Sequence, residues 1–295
     1  MLQPSKKINL REERDFGEKL NATFRFIRLN FKSLFKSLLL YAVPVALLSG
    51  IFSGLHQARL FRNLSGDNGY DSFGDYTIGQ QITSVNYLVS AFLSVVSVLI
   101  VYLVVYAYMV AYQDEEGEVQ PSAVWDHLKN NLLKVIYSGF ALGIVTFLSF
   151  FLLGFGIYLG VVLSFFIMVM VREELSMIDT IERCFYLIKR NWWATFGLLI
   201  IVGFIQGVIS WISALPWGLV MILNATQVLN QGNSFMMIIS STLATLVINL
   251  SYTISAVALG FQYYNLVEQK DGIGLMEQAD LIGRHDLSST NEGDY

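Results

Sequence analysis

From Val135 to Val171, and again from Ala194 to Val267, the chain contains no Asp, Glu, Lys, Arg or His. One helix crosses a bilayer with about 20 apolar residues, so each stretch must hold two spanning helices. Only 14% of the 295 residues are charged, against roughly 25% in a soluble protein. The hydrophobic maxima place six spans: Leu34 to Leu55, Val85 to Tyr112, Leu132 to Leu153, Phe155 to Val171, Phe196 to Leu215 and Phe235 to Tyr263. The third and fourth meet at the Gly-Phe-Gly of Gly154 to Gly156, which predicts a tight hairpin. The expected fold is an all-α integral membrane protein with a polar segment over 1–33, six transmembrane helices over 34–263 and a polar tail over 264–295.

The signs of charge are segregated. Cations crowd the segment from Lys6 to Lys36, then recur at Lys129 and Lys134, at Arg172, Arg183, Lys189 and Arg190, and at Lys270 and Arg284; the alternate loops offer Arg59 and Arg62. Because loops rich in Lys and Arg stay on the cytoplasmic side, this pattern predicts that both termini are cytoplasmic. A charged stretch precedes the first apolar run and no small-residue cleavage site follows it, so the first span is expected to remain as an anchor. The single cysteine, Cys184, excludes an intrachain disulfide.

One phrase occurs twice. Phe24 to Phe35 reads FRFIRLNFKSLF and Phe185 to Phe196 reads FYLIKRNWWATF, with Phe, Ile, Asn and Phe at the same four places. Before each, apolar residues recur every three or four positions: Phe16, Leu20, Phe24, Ile27, Phe31 and Leu34 in the first, and Leu175, Ile178, Ile181, Phe185 and Ile188 in the second. Asp15 with Glu18, and Ser176 with Asp179, set an N-cap side chain three residues ahead of an acid. The expectation is an amphipathic helix lying in the cytoplasmic membrane surface before a span, with Arg28, Lys189 and Arg190 at the headgroups and Phe31, Trp192 and Trp193 at the boundary. A weaker third copy starts at Pro121, where Val124, Leu128, Leu132 and Val135 share a face. The chain then reads as a threefold repeat of an interfacial helix and two spans.

Four Gly-x-x-x-Gly pairs, at 50/54, 139/143, 156/160 and 203/207, predict close helix packing, with a dimer seam as the alternative. Pro44 is expected to kink the first span and Pro216 to end the fifth. No span carries a central Asp, Glu, Lys or Arg, which disfavours proton-coupled transport. Gln206 and Asn249 are the polar residues nearest the span centres, read as interhelical hydrogen bonding or contact with a headgroup or substrate. His56, His127 and His285 are too scattered to share a metal, and no phosphate loop or nucleophile–base pair is written locally. An outer loop, Ser65 to Tyr76, is acidic and glycine-rich without the spacing of a calcium loop. No cofactor, metal or nucleic acid is expected.

The stretch REELSMIDTIERCFYLIKRNWWATFGLLI, Arg172 to Ile200, and the ending FQYYNLVEQKDG, Phe261 to Gly272, resemble bacterial six-helix membrane proteins grouped with the membrane domain of glycerophosphodiester phosphodiesterases. Val267 stands where that group carries Arg, and no phosphodiesterase domain follows, so the resemblance does not imply enzymatic activity. It implies a multi-pass protein of the bacterial inner membrane, and possible partners among other membrane proteins of an envelope complex linked to a MoxR-type ATPase. The expected function is a non-enzymatic scaffold or accessory subunit in contact with membrane lipids; the alternative is lipid handling or facilitative transport.

Overall fold

The computed structural model describes residues 7–65, 84–115, 117–151, 155–226, 234–274 and 276. The acidic loop at 66–76, His285 and the end of the polar tail lie outside them. Ten helices follow in chain order among the described residues: α1 (Phe16–Leu29), α2 (Phe31–Tyr41), α3 (Val43–Ser65), α4 (Val85–Asp114), α5 (Pro121–Phe150), α6 (Phe155–Leu163), α7 (Phe166–Glu173), α8 (Met177–Ile188), α9 (Trp192–Ala225) and α10 (Ser234–Asp271). Five are long and apolar enough to cross a membrane: α4, α5, α6 with α7, α9 and α10; α2 and α3 make a sixth if a bent pair is one span. By length and composition these are the helices of a multi-pass membrane protein.

The bend between α2 and α3 is 55° and Pro44 accounts for it. Its ring excludes the Leu40 carbonyl and it has no N–H to offer that group, so the ladder breaks at Ala42. Pro216 behaves otherwise: α9 runs through it to Ala225, which corrects the expected stop at Leu215. Lost bonds at such a proline are replaced by neighbouring turns when no water competes for the backbone. The stretch beginning at Pro121 is also continuous with its span as one 30-residue helix, so the middle unit has no separate surface helix. α10 passes beyond Tyr263 and ends at Asp271.

The two copies of the repeated phrase straddle a break between a short helix and a longer run. α1 begins with a full capping box between Asp15 and Glu18, and α8 with Ser176 accepting from the Asp179 N–H. At the breaks, Asn30 donates its amide to the Phe26 carbonyl at 3.0 Å and accepts from the Tyr108 hydroxyl at 3.2 Å. Asn191 donates to Gln269 Oε1 at 3.2 Å. Asn30 thus caps α1 and ties it to α4, and Asn191 ties the α8–α9 break to α10. The expected apolar stripe is split: Leu34 and Ile188 are buried, while Phe24, Phe31, Ile178 and Phe185 are exposed. α1 buries Lys19, Ala22, Thr23 and Phe26, and α8 buries Thr180, Cys184, Leu187 and Ile188, while Phe24, Phe31, Ile178 and Tyr186 face outward. Small and polar groups allow close approach to the protein, and bulky apolar groups face outward at no cost where the surroundings are apolar too.

α10 is the axis. It packs along α3 and α9, meets α4 across the middle, and receives α1, α7 and α8 at its C-terminal end. Half of its span is buried, against 11% for α9, which leans on α10 and little else. The fully buried large side chains Phe26, Tyr108, Phe165, Leu187, Phe261, Tyr263 and Tyr264 collect where α4, α7 and α10 end. That end, wrapped by α1 and α8, forms a collar.

Candidate functional site: a polar hub in the collar

From Phe261 to Glu268 every side chain of α10 is buried, and α1, α7 and α9 all reach this stretch. Phe26 of α1 meets Tyr108, Tyr112 and Phe261 edge-on, with centroids 6.1, 4.9 and 5.8 Å away. That arrangement sets the positive ring edges against the negative faces. Beside it, Lys19 is only 5% exposed. Its Nζ donates to Gln262 Oε1 at 2.7 Å, and Gln262 Nε2 donates to Thr195 Oγ1 at 2.9 Å. The Thr195 hydroxyl donates to the Asn191 carbonyl at 3.1 Å. A single chain of bonds therefore joins α1, α10 and α9.

The second half of the hub is charged. Arg183 Nε donates to both oxygens of Glu173 at 3.1 and 2.9 Å, and its terminal nitrogen pairs with Asp271. The Tyr263 hydroxyl donates to Glu173 Oε1 at 2.8 Å. Burial pulls the Arg183 guanidinium down, but its bonds to Asp271 and Glu173 outweigh this and hold it above the ordinary arginine range. Glu174 turns the chain here in the left-handed region, at φ 53°. Arg172 clamps Asp114 at 2.8 and 2.9 Å, while the Arg14 backbone N–H donates to Asn265 at 2.8 Å. Cys184 is fully buried beside this network, and burial pushes its thiol up to about 12, so no thiolate forms at neutral pH.

The residues expected to matter are spread along the molecule. Arg28 is exposed, and Phe31 is 56% exposed and stacks on Phe35 with centroids 5.5 Å apart. Lys189 and Arg190 are exposed at the α8–α9 break; the Lys189 carbonyl accepts from Lys270 at 3.1 Å, and Arg190 sits at φ 76°. Trp192 and Trp193 meet edge-on with centroids 4.8 Å apart, but differ in burial. Trp192 stacks on Phe196 at 4.9 Å and Tyr158 at 6.1 Å, whereas Trp193 is 77% exposed. Trp192→Ala should therefore cost about 2 kcal/mol in thermal unfolding, and Trp193→Ala should leave the fold unmoved; equal effects would contradict this division.

Gln206 accepts from the Ser255 hydroxyl at 2.8 Å, an α9–α10 hydrogen bond, beside a cavity of about 130 Å3 that Tyr102 also lines. Asn249 is not part of it: its amide nitrogen bonds the Thr245 carbonyl of its own helix at 2.8 Å and its oxygen has no partner. No group of three His, Cys, Asp or Glu is placed to hold a metal among the described residues. No protein family, curated protein or solved structure matches the chain.

Lys19, Gln262 and the Glu173–Arg183–Asp271 set were not singled out by sequence. The available signal was the buried-looking run FQYYNLVE at the end of an apolar helix, where amphipathic alternation stops. Chemically, the hub positions: Arg183, Glu173 and Asp271 spend their charges on one another, Lys19 bonds Gln262, and together they clamp two short helices across the ends of the spans. Lys19 gives a pH test. Burial lowers its pKa from 10.5, with Asp15 opposing. Between the folded and unfolded values the unfolded chain binds more protons, so this cost is full below the folded value and is relieved as pH rises through the window. As pH rises toward 10.5 in detergent, the wild type should gain stability relative to Lys19→Met; parallel curves would contradict the assignment.

Proposed function

We propose that the protein is a non-enzymatic scaffold or accessory subunit of a bacterial envelope complex, set in the cytoplasmic membrane with both termini and the collar on the cytoplasmic side. The observation that carries this reading is the collar itself. Lys19, Arg183, Glu173 and Asp271 hold α1 and α8 rigidly across the bundle end, and the outer faces of these helices remain open. On α1 and α2 that face carries Arg25, Arg28, Lys32 and Lys36 interleaved with Phe24, Phe31 and Phe35. Cations beside aromatics suit anionic headgroups and the membrane boundary. In this reading α1, α8 and the start of α5 are three versions of one interfacial unit, and the resemblance to the glycerophosphodiester phosphodiesterase membrane group reflects architecture shared without the enzyme.

The transport alternative would draw on the Tyr102, Gln206 and Ser255 cavity. At about 130 Å3 this cavity has room for roughly four waters. Purification of the tagged full chain from crosslinked membranes, followed by mass spectrometry, should recover stoichiometric membrane proteins, with a MoxR-type ATPase among the associated components. A monodisperse protein that comes free of partners and moves lipid or solute in proteoliposomes would overturn the scaffold reading.

A further inference from the structure

At the bundle end away from the collar, α3 and α9 both lean on α10 but make little contact with each other. Between them opens a cavity of about 500 Å3, within the 300–1,000 Å3 range of small-molecule sites. Each helix gives it one stripe at helical spacing: Ser53 and Gln57 from α3, Ala214, Trp217 and Met221 from α9, and Ser241 and Ala244 among the residues from α10. Among the described residues no ionisable side chain lines it.

Two polar atoms among its lining residues are unsatisfied. Trp217 Nε1 has no acceptor and Gln57 Oε1 has no donor, although the Gln57 amide nitrogen already bonds Ser53 Oγ at 3.0 Å. A buried donor or acceptor without a partner is costly, most of all where no water can substitute. The leftover capacity is one N–H to give and one carbonyl to fill. A hydroxyl meets both, since it accepts and donates at once. A phosphate or carboxylate does not: it cannot donate to Gln57, and no cation is among the described lining residues to neutralise it.

The geometry points to a binding site for a neutral, hydroxyl-bearing amphiphile such as a diacylglycerol, entering sideways between α3 and α9. Its hydroxyl accepts from Trp217 Nε1 and donates to Gln57 Oε1, and its chains lie on Ala214, Met221 and Ala244. Each polar atom exposes under 1 Å2, so the Gln57 and Trp217 side chains turn outward as the hydroxyl enters. This site is independent of the scaffold reading and lies at the opposite end of the bundle.

The full chain in phosphatidylcholine nanodiscs, titrated with dioleoylglycerol bearing a photoreactive acyl chain, tests it. Saturable labelling should map to α3 and α9. Unlabelled dioleoylglycerol should compete about tenfold better than its acetyl ester, the loss expected for one or two hydrogen bonds, and phosphatidic acid should compete worse still. Trp217→Phe keeps the ring and removes the N–H, and should weaken labelling about tenfold; Ala244→Phe should block it by filling the cavity. Equal competition by alcohol and ester on the wild-type chain would overturn the proposal whatever the variants do, as would unsaturable labelling or labelling unchanged in Trp217→Phe.

Discussion

Arg183→Ala is expected to lower the stability of the protein by about 3 kcal/mol, because it removes the cation shared by two carboxylates and leaves both in a half-buried site. The side chains of Arg183, Glu173 and Asp271 are 22%, 22% and 24% exposed, so water screens them only in part. The estimate therefore sits at the low end for breaking a buried pair. Arg183→Lys should recover less than half of the loss. A lysine ammonium is a point charge that cannot fork between Glu173 and Asp271 as a guanidinium does. The Lys129–Asp126 pair is the control. Its partners are 48% and 65% exposed, and Lys129→Ala should produce no measurable change. Unfolding in mixed detergent micelles, followed by circular dichroism, would separate these outcomes. If Arg183→Ala and Lys129→Ala proved alike, the hub would not be holding the collar.

Gly54→Leu should cost about 3 kcal/mol or prevent assembly of the bundle. A Cβ on Gly54 would sit 2.7 Å from Ser241 Oγ and 2.8 Å from Ile238 Cα, and one on Gly50 would sit 2.9 Å from Thr242 Cα. Those neighbours are largely backbone of α10 and cannot swing aside, so α3 must back away along its length. Gly207→Leu provides the contrast, since a Cβ there meets nothing within 4 Å, and the same holds at Gly203. This second substitution should be neutral or slightly stabilising through better helix propensity. Thermal unfolding of both variants in the same detergent is the measurement. A Gly207 variant as damaged as the Gly54 variant would show that the α9 glycines pack in a way the isolated chain does not.

That contrast shows what sequence could and could not convey. All four Gly-x-x-x-Gly pairs look alike as text, because spacing says that two glycines share a face but not which way the face points. Gly50 and Gly54 press on α10, whereas a Cβ on Gly203 or Gly207 would meet nothing within 4 Å. The spans themselves were legible because uncharged runs of such length leave a chain few alternatives, and the bend at Pro44 followed from the chemistry of proline. Pro216 misled for the same reason in reverse, since a proline that stops a helix in water can be carried by one in an apolar setting. The outward placing of Phe24 and Phe31 was legible in their spacing; that Lys19 and Thr23 pack inside was not. The hub was hidden by distance in sequence. Lys19 and Gln262 stand at opposite ends of the chain, and nothing local marks either as the other's partner.

The order of synthesis gives the central position of α10 a further meaning. α10 touches α1, α3, α4, α7, α8 and α9, and it follows all of them in the chain. At about 5–20 residues per second, a ribosome delivers the earlier helices well before the one that unites them. In that interval Lys19 waits without Gln262, Glu173 without Tyr263, and Arg183 with one carboxylate instead of two. Until α10 is made, the earlier helices lack the contacts that unite them. A damaged α10 would therefore be punished first in the cell, as degradation during biogenesis, before any purified protein could report a loss of stability.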